Sequence, residues 1–302
     1  MDFTSYSNPS LSQKKIDLVE NVPLECSLNY KIHLNYHGIL VSINASREAI
    51  LKLILSLVPT SWVKNESSGE SKLKLSLYSI RDFNISNLEW ENETSSECLI
   101  SSTSNQEIAI QRDFAGKMVG DNVVAIINED IADGFFNILR WFMPRKLLQI
   151  KNTVLHSSCV VVDQKAHFFL GHSGYGKSTL TTLADEKLVL GDDMNILFQM
   201  GEDYYAKGAA LGGLYNNKSI LDQSYPVGAF YWLFKSSENK IEKMELAESY
   251  RKLISSCANI FWGESDSQTE GEMMKLATNV TRRYSFYNLY FSLDKGFWKY
   301  VK

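Results

Sequence analysis

The chain is 302 residues long, 44% hydrophobic and 22% charged, with a formal net charge of -4, enough for one large core or two ordinary ones. Lys and Arg are spread along it rather than clustered, which leaves no basic footprint for nucleic acid. The opening MDFTSYSNPSLSQKKIDLVE lacks the basic-then-apolar order of a secretory signal, and no run reaches the roughly 18 apolar residues that span a bilayer, so a cytoplasmic chain with no membrane partner is expected. Cys26, Cys98, Cys159 and Cys257 lie far apart without a Cys-x-x-Cys pair and are expected to be reduced thiols.

In chain order, KIHLNYHGILVSIN (31–44) alternates apolar and polar residues about His37-Gly38, the pattern of a hairpin. Ser46 is placed to cap a helix over REAILKLILSLV, which Pro59 closes. KLKLSLYSI, ECLISS, EIAIQ and NVVAII read as strands separated by the polar stretches NESSGES and ENETSSE. DGFFNILRWF reads as an amphipathic helix interrupted at Pro144. The expected organisation is therefore a strand-rich α+β lobe over residues 1–150, a candidate for substrate recognition, and a second domain over 151–302.

The second domain opens with a strand (TVLHSSCVVV), a tight turn at Asp163-Gln164-Lys165, and a second strand (HFFLG) that runs into a glycine-rich loop. A helix over STLTTLADE follows, then KLVLGDD as a buried strand, NILFQM and DYYAKG as further β segments, and GAFYWLF as a strand. Two helices, ELAESYRKLISSCANIFW and GEMMKLATNVTRR, and a last aromatic strand, YSFYNLYFSL, complete it. The fold class expected is α/β with a mixed sheet.

Gly171-His172-Ser173-Gly174-Tyr175-Gly176-Lys177-Ser178-Thr179 matches G-x-x-x-x-G-K-[ST] between a strand and a helix, where a phosphate loop must sit. Glycines allow backbone N–H groups to curl around phosphates, and the helix N-terminus adds its positive end. Lys177 would reach the terminal phosphates and Ser178 could ligate magnesium, so ATP and Mg2+ are the expected cofactors. Asp192 and Asp193 end the apolar run that follows, at the edge where phosphate-loop proteins hold magnesium. One acid could bind the metal while the other accepts the proton of an attacking hydroxyl. Spacing alone leaves His156, fifteen residues before the loop, as a hydrogen-bonded core histidine.

The run LHSSCVVVDQKAHFFLGHSGYGKSTL, followed by LVLGDD, resembles the kinase core of HPr kinase/phosphorylase and its relatives. In that family a His before two strands precedes a GxSGxGKS loop and a strand ending in Asp-Asp. The chain is most similar to the stand-alone relatives of lasso-peptide biosynthesis, which phosphorylate a serine on a precursor peptide and share the chain length, the N-terminal lobe and the GKST ending. The close match covers residues 154–199. The resemblance implies an HPr-kinase-type phosphate-loop domain, with His156 near the transferred phosphate, Asp192 as general base and Asp193 as metal partner. The EIRGLG-type stretch of the HPr enzymes has no counterpart. GAALGGLYNN (208–217) is glycine-rich without the acid, and so a one-way kinase is implied.

Weaker candidates are His33 and His37 as metal ligands, and Lys207, Lys218 and Arg283 as cations for the transition state. The clusters FFNILRWF, FYWLF and YSFYNLYF follow helix or strand periodicity and read as core. The expected activity is transfer of the ATP γ-phosphoryl group to a hydroxyl, with a peptide or small-molecule hydroxyl compound as partner and a homo-oligomer allowed. A small-molecule kinase on the same core, and a nucleotide-binding regulatory protein without turnover, are the alternatives.

Overall fold

The structure, a computed structural model, describes residues 9–24, 28–65, 73–91, 98–103, 105–213, 217–263 and 265–302. Cys26, most of the polar stretch NESSGES and Asn92 to Thr94 lie outside the described residues. The chain is mixed α/β with two mixed sheets and divides into two compact units, Met1–Phe142 and Met143–Lys302.

The first unit contains α1 (Pro9–Asn21), β1 (Tyr30–Tyr36), β2 (Ile39–Ala45), α2 (Glu48–Leu57), β3 (Val63–Lys64), β4 (Leu73–Ser79), α3 (Asn87–Glu91), β5 (Leu99–Ser102), β6 (Glu107–Ile110), β7 (Phe114–Val119) and β8 (Asn122–Ile127). Its sheet runs β3-β1-β2-β4-β8-β7-β6-β5, with β2, β4 and β8 parallel and the other pairs antiparallel. The β1–β2 hairpin turns where expected, with His37 and Gly38 both at positive φ (51° and 102°), the backbone that a two-residue primed turn requires. His37 packs edge-on against Tyr36 and Trp62, which makes it a core histidine.

Two details depart from expectation. Ser46 does not cap α2: Arg47 holds that position without a side-chain bond to the helix amides, and both the Ser46 hydroxyl and Arg47 Nε donate to Asp82 instead. Helix α1, not foreseen, lies on the sheet through Ile16 and Val19, with Val22 just beyond its end, and is anchored by two buried lysines. Lys15 Nζ donates to the carbonyls of Gln111 and Arg112, both at 3.0 Å, while Lys117 Nζ donates to those of Glu20 and Val22 at 2.8 and 2.7 Å. These carbonyl acceptors help the ammonium groups to sit inside.

Helix α4 (Ala132–Gln149) runs through Pro144, where an interruption was expected. Its neighbours Trp141, Phe142, Met143, Leu147 and Leu148 are all buried, and that burial outweighs the one hydrogen bond Pro144 cannot donate.

The second unit continues with β9 (Asn152–Val162), β10 (Lys165–Leu170), α5 (Lys177–Thr182), β11 (Leu188–Gly191), β12 (Met194–Met200), β13 (Asp203–Gly208), β14 (Tyr225–Lys235), β15 (Lys240–Lys243), α6 (Leu246–Ala258), α7 (Ser267–Arg283) and β16 (Ser285–Phe291). Strand β10 lies between antiparallel β9 and parallel β14, and β14 also pairs in parallel with β16. The pairings β10–β9, β9–β12, β12–β13, β13–β14 and β14–β10 close a circuit. The aromatic clusters fill the core as expected, with Phe230 stacked between Phe168 and Phe286 at centroid distances of 5.1 and 4.4 Å. Cys159 and Cys257 are buried free thiols, and burial pushes the Cys257 thiol up to about 12. Among the described residues no helix is long and apolar enough to cross a membrane.

His167 on β10 is fully buried, and neither ring nitrogen makes a well-formed hydrogen bond to a protein atom. Its ring lies on Gly228, where a Cβ would come within 2.5 Å of Cε1. Burial lowers its pKa from 6.5 to about 4, so the folded state binds this proton less readily than the unfolded chain does. Stability is therefore full above about pH 6.5 and falls as the pH drops towards 4, by on the order of 2–3 kcal/mol at pH 4.5. Between pH 7.5 and 4.5, urea unfolding should show wild type losing on the order of 2–3 kcal/mol more than His167→Leu does.

Candidate active site

The β9–β10 hairpin is closed by Asp163 and Gln164, both at positive φ (49° and 62°), and this tight turn fixes the register of everything beyond it. Leu170 faces Ser157 across the pair, so one step outward brings His156 of β9 beside Gly171 at the start of the loop. Strand β11 runs antiparallel to β9, with Gly191 opposite Cys159, and therefore in the same direction as β10. Asp192 and Asp193 thus emerge at the same end of the sheet as the loop. The Ser157 N–H donates to the Asp193 carbonyl at 2.8 Å, and buried Asn195 braces the corner through Nδ2 to the carbonyls of Ser157 (2.7 Å) and Gly191 (3.2 Å).

Within the loop, Gly174 and Gly176 have φ of 77° and 101°. At Gly176 a Cβ would stand 2.7 Å from Phe291 Cζ, so both backbone and space demand glycine there. His172, Ser173, Gly174 and Tyr175 are exposed, and the Tyr175 ring meets the His172 ring edge-on at 5.3 Å. Helix α5 stops at Thr182, whereas a helix to Glu186 was expected, and with six residues it offers little dipole. The groups here that could meet an anion are therefore the loop amides and Lys177.

Lys177 is only 6% exposed, and its Nζ donates to the carbonyls of Gly171 at 2.9 Å and His172 at 3.2 Å. Burial lowers its pKa, and Asp193 opposes that shift, which places this carboxylate within electrostatic reach of the ammonium. Asp193 also meets His156, with Oδ1 at 3.2 Å from Nε2. His156 is therefore at the site rather than in the core. Ser178 and Thr179 follow Lys177 on α5 with exposed side chains.

The two acids are not equivalent. The Asp193 side chain is 35% exposed, whereas Asp192 is 3% exposed and lies against Gly213, where a Cβ would stand 2.5 Å from Asp192 Oδ1. Gly212 and Gly213 (φ 110° and 104°) let the GAALGG segment approach this carboxyl. The contact joins positions about twenty residues apart through a loop, and no local pattern in the sequence announces it.

The weaker candidates sit as follows. Arg283 forms a surface ion pair with Asp203, and Lys218 lies in a short exposed turn. Lys207 places Nζ 4.7 Å over the Phe198 ring, and burial, opposed by Asp222, lowers its pKa to about 8.

The residues fit a nucleotide with its magnesium. Positive-φ glycines shape a loop whose amides can turn to one centre, and Asp192, Asp193 and Ser178 are hard oxygen donors. Among the described residues no group of three or more His, Cys, Asp or Glu could hold a metal by itself. A magnesium held by one or two of these oxygens would complete its shell with phosphate oxygens and water, the usual mode for that ion.

No protein-family model matches the chain, and no curated protein does. Among solved structures it is similar to the Hpr(Ser) kinase/phosphatase from Coxiella burnetii, at 12% identity and a TM-score of 0.27, over 49% of this chain and 95% of that one.

Proposed function

We propose that the protein is an ATP-dependent phosphotransferase that moves the γ-phosphoryl group to a hydroxyl, with a serine of a lasso-type precursor peptide as acceptor. The observation that carries this is the convergence of Lys177, Asp193 and His156 at the mouth of a glycine loop whose sequence matches a phosphate-binding loop. The loop amides and Lys177 hold the β- and γ-phosphates and neutralise the charge that spreads over the γ-oxygens as the bond to ADP breaks. Asp192 takes the proton of the acceptor hydroxyl as its oxygen bonds to phosphorus, and His156 keeps Asp193 oriented. Ser178 and Asp193 would hold the magnesium, which would supply positive charge to offset that of the phosphates. The peptide acceptor is suggested by the likeness of residues 154–199 to the lasso-peptide kinases and by the missing acid in GAALGG.

A second reading exchanges the acids. Asp193 is the open carboxylate beside His156 and Lys177, while Asp192 is closed in by Gly213, which favours Asp193 as the base and Asp192 as the metal partner.

Incubation of the protein with magnesium, γ-labelled ATP and a panel of serine-containing peptides and small alcohols tests the proposal. Label on a peptide supports it, and label only on a small alcohol moves the acceptor to metabolites. Binding of ATP with no label transferred to any acceptor would leave a nucleotide-sensing protein. A companion variant, Gly213→Ala, forces a Cβ against Asp192 at a φ that side chains disfavour. It should retain the wild-type circular dichroism spectrum while transfer falls by roughly tenfold or more, the cost of a small misplacement of a reacting group.

A further inference from the structure

Helix α6 lies along the sheet end that bears the site, in contact with both β9 and β10. Glu248, Lys252 and Ser256 recur every four residues and so share one face of it. Each touches a different strand end. The Ser256 hydroxyl, nearly buried, donates to the His156 carbonyl at 3.0 Å. Lys252 places Nζ 4.0 Å over the Trp232 ring and 5.8 Å from that of Phe234. Trp232 in turn meets the His172 ring of the loop edge-on at 5.1 Å, and His172 meets Tyr175. Burial lowers the Lys252 pKa, Glu248 one turn away opposes that shift, and Glu248 also accepts a long hydrogen bond from Asn288 of β16 at 3.4 Å.

We infer that α6 clamps both halves of the phosphate site: Lys252 is a positioning residue that fixes the His172 side of the loop through Trp232, and Ser256 is one that fixes the strand end carrying His156. The inference rests on the phosphotransfer reading for its kinetic consequence but not for its structural one. A cation over an indole attracts the ring face, and this holds the Trp232 ring in place against His172. His172 supplies one of the two carbonyls that Lys177 grips, so freedom at His172 becomes freedom at the phosphate-binding ammonium. On the other side, loss of the Ser256 hydroxyl would leave the His156 carbonyl without that donor and let the His156–Asp193 pair drift.

The test uses the full chain with Lys252→Met, Lys252→Gln, Lys252→Arg and Ser256→Ala, their Tm values confirming folding. Two readouts are taken: the His172 ring resonances by NMR, without nucleotide, and KM against kcat for ATP. Lys252→Met and Lys252→Gln should shift or broaden the His172 signals and raise the KM for ATP about tenfold with kcat within about twofold, while Lys252→Arg restores both. Ser256→Ala should lower kcat with KM unchanged. His172 signals that stay at their wild-type positions in both uncharged variants, or a change that Lys252→Arg does not reverse, would overturn the clamp. If wild type transfers no phosphate, the functional proposal falls alone, because the NMR comparison still decides the Lys252 half of the clamp, and a shift of the His156 ring signals in Ser256→Ala decides the other.

Discussion

Replacing Lys177 by methionine is expected to lower kcat/KM for phosphoryl transfer by on the order of a thousandfold, the scale lost when one preorganised charge at a transition state is removed. Stability should move the other way or not at all. The ammonium is nearly buried, its pKa is lowered by that burial, and its partners without nucleotide are the carbonyls of Gly171 and His172. Methionine has similar length and costs nothing to desolvate, so Tm should stay within a few degrees of wild type. Label-transfer kinetics alongside thermal unfolding would check both halves. A variant that transferred phosphate at close to the wild-type rate would remove Lys177 from the chemistry.

Asp192→Asn and Asp193→Asn should separate the base from the metal partner. Loss of the general base should lower kcat by about a hundredfold to ten-thousandfold and leave the magnesium dependence unchanged. Loss of the metal partner should raise the magnesium concentration needed for half-maximal rate, with part of the activity recovered at high magnesium. If Asp192→Asn gives the first pattern, the buried acid is the base and the loop at Gly213 must yield to admit the acceptor. If Asp193→Asn does, the open acid beside His156 is the base. A titration of rate against magnesium for both variants decides between them.

The site was legible where its geometry is local. The strand, turn and strand from Thr153 to Leu170, the glycine loop and the Asp pair are contiguous, and alternation with turn chemistry sets their register almost alone. His156 was legible only by family likeness. In isolation it is one histidine in an apolar strand, and only the pairing of β9 with β10 brings it beside Gly171. The reach of Gly213 to Asp192, and the contacts of Ser256 and Lys252, depend on loop path and helix placement that no spacing encodes.

Elsewhere, β7 was missed because Gly116 and Lys117 break its apolar alternation, yet each has a partner that explains it. A Cβ at Gly116 would stand 2.7 Å from the Trp141 ring, and Lys117 holds the end of α1. Helix α1 was missed for the matching reason, since its buried Lys15 reads as a surface residue. The overestimate of α5 came from treating Asp185 as helical, whereas it adopts a positive φ of 52° just after the helix ends.

The circuit of strands β10, β9, β12, β13 and β14 has a kinetic meaning for the site. A strand at a sheet edge can peel away and exchange its amide protons without disturbing the rest, but β10, which carries the loop, has a hydrogen-bonded neighbour on both sides within a closed ring. To open there is to open the ring. The backbone beneath the phosphate loop is thereby tied to the global unfolding of its unit, so that amide exchange at Phe168, Phe169 and Leu170 belongs with the slowest in the chain.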